Sequence, residues 1–447
     1  MPLTPTRTFR TVLPVLALCW LAVFFDGMDV NIYGAVLPHM LEDKAFGLTS
    51  GTAGTIGSWT TFGMLIGTLV TGSLADWLGR KPLLVTSIVL FSAGSALCAV
   101  ADGVALFGAG RFVSGLGLGG LMPLCLAMAL EFAPPRRKAM TTGLLMTSYH
   151  FGGMAATGLG LSLAPTVGWR WVFWAGVLPA VVTLPLLLKL LPESPGVLLA
   201  RGERERADAV ADRYGIPRPT AVEAPAAGAA GRLTAFLALF HPRSRWATPL
   251  LWLASFAGLL LVQGVTIWLP QMMRAEGYGL SSSVGFLLVI NAGAVVGLLI
   301  AGRVADRFGT VRVSAIWFVL TAAGALLLQS HLPLWATYAV VAVTGVWLFS
   351  AQVMVYAATA TVYRDSERAT GLSWVMGVGR TGAVMGPWLI GELAASGNPS
   401  WGFTVFALAG VVGAVAISLV SFARPKGGIE AMPAAALAGT PQREASR

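Results

Sequence analysis

A chain of 447 residues that is 56% hydrophobic and 11% charged, with a mean hydropathy of +0.74, lies outside the range of soluble globular domains. In a soluble protein the formal net charge of +10 would point to nucleic acid, so the placement of the basic residues decides what that charge means. Apolar runs long enough to cross about 30 Å of hydrocarbon recur between short charged connections, which makes the bilayer the solvent of this chain.

In the first half the runs predict spans at 12–36, 52–73, 83–100, 105–131, 140–163 and 170–190. In the first span Asp26 and Asp29 lie three apart and share a helical face with Tyr33. An ionised carboxylate at membrane depth demands a partner, a watery cavity or a proton. Proton carriage fits both aspartates; the alternative for Asp26 is to cap or orient a helix broken at Gly27. After the second span comes GSLADWLGRKP at 72–82. Gly72 and Gly79 permit close packing and a tight turn there, and Asp76 can pair with Arg80 or a helix end. Arg111 in the fourth span precedes a glycine face made by Gly115 and Gly119 and suits helix packing or a cargo contact equally. His150, beside Tyr149 in the fifth span, is either a packing histidine or a group that orients a polar ring substituent.

The stretch 191–246 is the one long polar interruption and reads as a cytoplasmic linker between an N-terminal six-helix bundle (1–190) and a C-terminal one (247–424). Within it, Arg201 to Arg213 suits a short amphipathic surface helix, and Pro217 to Gly231 is low in complexity and expected to be mobile. The second-half spans fall at 248–269, 283–302, 313–329, 333–361, 371–394 and 401–422, with a tail at 425–447 expected to be disordered. Gln263, Asn291 and Gln352 are polar groups within apolar spans, able to orient a hydroxyl or amide. Arg380 sits about ten residues into the eleventh span, where a lone guanidinium needs an acceptor. Trp59, Tyr33, Phe349, Tyr356, Trp374 and Trp388 offer flat apolar walls, although lipid-interface belts claim many tryptophans.

The basic residues cluster in alternate connections. Arg80, Lys81, Arg136, Arg137, Lys138, the stretch from Arg201 to Arg245, Arg303, Arg307, Arg312, Arg364 and Arg368 fall on one side, and Lys44, Arg170 and Arg274 on the other. The positive-inside rule then puts both termini in the cytoplasm of a multi-pass inner-membrane protein, and no nucleic-acid partner is needed. Cys19, Cys98 and Cys125 all fall in spans, so neither a disulfide framework nor a metal site is expected. GSLADWLGR at 72–80 recurs as GRVADRFGT at 302–310. Such duplication suits a secondary transporter with its site at the midplane between two halves.

The glycine, aspartate, glycine, arginine spacing of residues 72–82 resembles the signature turn of the major facilitator superfamily. DGMD at 26–29, RFVSG at 111–115 and GVGRTG at 377–382, with Glu131 and Pro134, LPESP at 191–195, WLP at 268–270, Arg368 to Gly371, Gly386 and Pro387, resemble the aromatic acid:proton symporter family. The resemblance covers the chain apart from the linker and both tails. It departs from the family at Val30 and Asn31, and in the second turn motif, which ends GTVR. It implies an all-α membrane protein of twelve transmembrane helices in two pseudo-symmetric six-helix bundles, with no cofactor and protons as the coupling ion. It further implies that Arg380 meets a small aromatic carboxylate of hydroxybenzoate type; the alternative is a structural ion pair with an aspartate of the other half. Asp76 and Arg80 would latch the cytoplasmic gate. Glu131, Arg137, Asp306, Arg307, Glu367 and Arg368 are gating candidates whose alternative is a solvated helix end. A monomer is expected, and the competing functions are a carrier for a sugar, another organic anion or a drug, and a transporter-like sensor. No nucleophile elbow, metal cluster or phosphate loop in the connections suggests an enzyme.

Overall fold

A backbone inside hydrocarbon must satisfy its own hydrogen bonds, and a continuous helix does so within one segment. The computed structural model describes residues 5–134, 138–219, 234, 236–241, 244–363 and 365–422, without the side chains of 5–10, 76, 139, 365, 366 and 369, and it is helical almost throughout. The first bundle comprises α1 (Pro5–Glu42), α2 (Ser50–Leu78), α3 (Arg80–Val100), α4 (Val104–Phe132), α5 (Lys138–Leu163) and α6 (Trp169–Leu190). Two short helices follow, α7 (Pro195–Ala200) and α8 (Arg204–Tyr214). The second bundle comprises α9 (Ala247–Ala275), α10 (Leu280–Phe308), α11 (Thr310–Leu327), α12 (Leu334–Val362), α13 (Asp365–Ala395) and α14 (Trp401–Phe422). The expected tail at 425–447 and most of the low-complexity stretch of the linker lie outside the described residues.

Among the described residues nine of these helices are by themselves long and apolar enough to span a membrane. The other three of the twelve bundle helices, α2, α5 and α13, are diluted by Gly, Ser and Thr. Each of them also meets the opposite bundle, α2 against α13 and α5 against α10. Small residues there let backbones approach closely, the usual basis of helix association in lipid. A Cβ on Gly54 of α2 would stand 2.8 Å from the Cα of Gly391 in α13. The sixth span, predicted as continuous, is instead broken by a 3₁₀ turn at Ala175–Val177 and again at Val182. Gly176, Pro179 and Pro185 account for this, since glycine and proline weaken the ladder of hydrogen bonds.

The internal repeat extends to backbone conformation. Gly79, between α2 and α3, has φ +86°, and Gly309, between α10 and α11, has φ +85°. Only glycine adopts such angles freely, which explains why each copy of the turn carries it at the same place. The two copies differ in what they hold. Around the first, Glu193 Oε1 accepts from the backbone N–H groups of Arg80 (3.0 Å), Lys81 (3.2 Å) and Ser194 (2.8 Å). Arg80 pairs with Glu131 at 2.6 Å, Ser194 Oγ donates to the other Glu131 oxygen at 2.5 Å, and Arg201 donates to the carbonyl of Trp77. The start of the linker is therefore tied to the ends of α2, α3 and α4. In the second copy Asp306 and Arg307 are exposed.

Candidate functional site

The face that carries the α2–α3 turn and the linker is called the linker face here, and the opposite one the far face. At the far face Arg274 Nη2, at the end of α9, donates to Glu42 Oε1, at the end of α1, at 2.6 Å. Deeper in, the Ser58 hydroxyl donates to the Val384 carbonyl at 2.6 Å. Nearer the centre a polar chain crosses between the halves. His150 Nδ1 of α5 and Asn291 Oδ1 of α10 are 2.9 Å apart, Asn291 Nδ2 donates to Asn31 Oδ1 of α1 at 3.2 Å, and Asn31 Nδ2 donates to the Gly27 carbonyl at 2.8 Å. These bonds all lie at or beyond the midplane on the far side.

On the linker side of that chain stand Asp26 and Arg380, one from each half. Arg380 is partly exposed at the middle of α13, and Asp26 is buried in α1. They lie within electrostatic reach of each other, with Tyr149 of α5 and Tyr356 of α12 beside them. Neither makes a hydrogen bond or ion pair among the described residues, and Asp26 Oδ1 is buried without a partner. A guanidinium without a protein partner beside a buried, unbonded carboxylate is an expensive arrangement at mid-membrane.

Asp29 is different. Three residues along the same helix, its carboxylate turns into the first bundle, where Arg111 Nη1 donates at 3.0 Å, Ser114 Oγ at 2.9 Å, and Ser95 Oγ donates to the other oxygen. Arg111 also reaches Thr60 Oγ1 at 3.2 Å, and its guanidinium lies 5.6 Å from the centre of the Tyr33 ring. The Tyr33 hydroxyl donates to the Ala53 carbonyl at 2.8 Å. Asp29, Arg111 and Tyr33 thus form one buried, hydrogen-bonded group inside the first bundle, apart from Asp26.

The remaining candidates distribute as follows. Gln352 Nε2 donates to Ser255 Oγ at 3.1 Å while its Oε1 is buried without a partner, and both groups lie beside Tyr356. Gln263 is buried in α9 with no hydrogen bond among the described residues. His150 packs edge-on against Phe349, centroids 4.6 Å apart. Trp374, 41% exposed, stacks with Trp252 and meets Phe236 of the linker, outside the Arg380 group. Trp388 is 42% exposed, and Trp59, also exposed, packs on Phe112. Glu367 and Arg368 occupy the first turn of α13. Arg137 and the side chain of Asp76 lie outside the described residues.

Tyr149 as a site residue, and Ser95, Ser114, Asn31, Glu42 and Glu193 as partners, are not singled out by the sequence pattern. Ser114 is the most readable of them, since it lies three residues after Arg111 and so shares its face.

The profile of the Major Facilitator Superfamily matches residues 19–299 and 283–440. The chain belongs to the major facilitator superfamily. It is 34% identical over 405 residues to the gentisate transporter of Corynebacterium glutamicum, covering 90% of this chain and 86% of that one. It is 33% identical to the benzoate transport protein of Acinetobacter baylyi (91% and 89% covered) and 32% identical to the 4-hydroxybenzoate transporter PcaK of Pseudomonas aeruginosa (90% and 89%). Among solved structures it matches the xylose transporter XylE of E. coli in a partially occluded inward open conformation, with a TM-score of 0.72 at 17% identity, covering 91% of this chain and 97% of that one. That likeness shows the fold: two pseudo-symmetric six-helix bundles. The chain is a membrane transporter, not an enzyme, and its relatives carry aromatic acids.

Proposed function

We propose that this transporter is a symporter that carries a small aromatic carboxylate together with protons by alternating access. The observation that carries the reading is the pair formed by Arg380 and Asp26, which lie within electrostatic reach of each other across the two halves without bonding among the described residues. The planar fork of Arg380 suits bidentate pairing with a carboxylate. When the substrate anion occupies that fork, two carboxylates share one guanidinium in a low-dielectric site, where they cannot comfortably both ionise, and Asp26 takes a proton. Substrate and proton then favour each other's binding, which is the linkage a symporter needs. Asp29, already satisfied by three donors, is the weaker candidate for proton carriage.

The linker face carries the excess of Lys and Arg and is assigned to the cytoplasm of the plasma membrane. With the cross-half bonds at or beyond the midplane, the described conformation is one in which the site is served from the cytoplasmic side. Rocking of the bundles would break Arg274–Glu42 and the His150–Asn291–Asn31 chain and open the other route.

The test is uptake of labelled benzoate-type acids into proteoliposomes under an inward proton gradient, for wild type, Asp26→Asn and Arg380→Ala. Accumulation by wild type, its loss in Asp26→Asn with exchange retained, and a large rise in KM for Arg380→Ala are expected. Failure of every aromatic carboxylate to accumulate or compete would overturn the substrate class.

A further inference from the structure

Asn291 is the fixed point of the polar chain that crosses the halves. Its amide nitrogen donates twice, to Asn31 Oδ1 at 3.2 Å and to the Leu287 carbonyl at 2.8 Å. Asn31 in turn is oriented by its own donation to the Gly27 carbonyl. With both hydrogens of the Asn291 amide committed, Oδ1 is left to accept, so the His150 nitrogen 2.9 Å away must be the one that carries a proton. Gly153, one turn along α5, makes the fit possible, because a Cβ there would stand 2.7 Å from Asn291 Oδ1.

The tautomer is thereby set. Nδ1 of His150 is a donor turned to Asn291, and Nε2 is a bare lone pair with no protein partner among the described residues, on a side chain that is only 4% exposed. The ring is pinned edge-on by Phe349 of α12 and flanked by Tyr149, the neighbour of Asp26 and Arg380. A directional acceptor without a donor, held between α5, α10 and α12 at the midplane, selects for a ligand that supplies one.

We infer that His150 Nε2 accepts a hydrogen bond from a ring hydroxyl of the cargo, so that the transporter discriminates in favour of hydroxylated aromatic carboxylates over unsubstituted ones. The inference rests on the aromatic-carboxylate reading above. Arg380 grips the carboxylate that every such acid shares, and His150 reads the substituent. A methoxy group has the oxygen but no hydrogen to give, and it leaves Nε2 without a donor just as benzoate does. Asn291 is a positioning residue that acts through His150: without its acceptor the imidazole is free to put its proton on Nε2 and becomes a donor there.

The experiment is competition against a labelled hydroxybenzoate in proteoliposomes, using benzoate and the 2-, 3- and 4-hydroxy and methoxy benzoates. In wild type at least one hydroxy isomer should compete about tenfold to a hundredfold better than both benzoate and its own methoxy counterpart. His150→Phe should collapse that ratio to within about threefold. Asn291→Leu should reduce it while His150→Gln, which retains an acceptor, preserves part of it. If hydroxy and methoxy isomers compete equally in the wild type, the inference fails without recourse to any variant. If the hydroxy preference persists in His150→Phe, the acceptor is elsewhere and the inference also fails. If no benzoate of any kind competes, it is the aromatic-carboxylate reading that has failed, and this inference with it.

Discussion

Replacing Asp29 by alanine should destabilise the protein, whereas replacing Asp26 by asparagine should not. Among the described residues Asp29 is the sole carboxylate bonded to Arg111, a guanidinium that is 1% exposed, and it also accepts from Ser95 and Ser114. Removing one partner of a buried, hydrogen-bonded ion pair leaves the other charge stranded, and such changes are worth about 3–5 kcal/mol. For a chain of this size that corresponds to a fall in melting temperature on the order of 5 °C. Asp26 has no such partner, so Asp26→Asn removes an unsatisfied charge and should leave the melting temperature within about 1 °C or raise it. The assay is thermal unfolding of purified protein in detergent, paired with transport in proteoliposomes. Asp29→Ala combined with Arg111→Leu should recover much of the loss, because the stranded guanidinium is gone. A melting temperature for Asp29→Ala equal to that of wild type would refute the reasoning. So would abolition of proton-driven accumulation, but not exchange, by Asp29→Asn in a fully stable protein, since that would return proton carriage to Asp29.

Other consequences follow from the contacts between halves and at the two faces. A methyl group at Gly54 would stand 2.7 Å from the Pro387 carbonyl oxygen and 2.8 Å from Gly391 Cα, backbone that cannot turn aside. Gly54→Leu should therefore hold the far face open, with cysteine labelling from that side increased and substrate exchange lost; unchanged labelling would count against it. At the linker face, Glu193→Ala deprives three backbone N–H groups of their acceptor. At about 1 kcal/mol or more per lost bond to a charged group, limited proteolysis should cut the linker several times faster, and equal rates would contradict the knot described here. At the far face the Trp169 indole, together with the Phe46 N–H and Arg170, holds the Asp43 carboxyl below the usual carboxylate range. A depressed folded value means that Asp43 contributes stability above the ordinary carboxylate pKa and loses it as pH falls through the lower, folded one. Trp169→Phe should thus narrow the stability gap between neutral pH and about pH 3 relative to wild type, and an unchanged gap would exclude the coupling.

Twelve spans, two halves and a repeat were legible in the sequence because lipid imposes its constraint on local composition: any segment of about 20 apolar residues must satisfy its own backbone. The glycine in each copy of the turn was legible too, since a positive φ at Gly79 and Gly309 is a demand made by the chain itself. Three of the helices in the cross-half packing, α2, α5 and α13, were harder to weigh by apolarity alone, because glycines and hydroxyls that dilute them are what the opposite bundle requires.

What one helix cannot decide is which neighbour a side chain meets. Asp26 and Asp29 are three residues apart and look alike on a helical wheel, but a turn of about 300° between them is enough to send them to different partners. One lies within electrostatic reach of Arg380 across the gap between halves, unbonded, and the other bonds Arg111 and two serines inside the first bundle. In the same way His150 and Asn291 are isolated polar residues 141 positions apart until α5 and α10 bring them within 2.9 Å. That this membrane protein buries charges follows from the chain alone, because residue type and depth are local facts. Which of those charges are satisfied follows from the assembled helices, since in a medium without water that depends entirely on what they place beside one another.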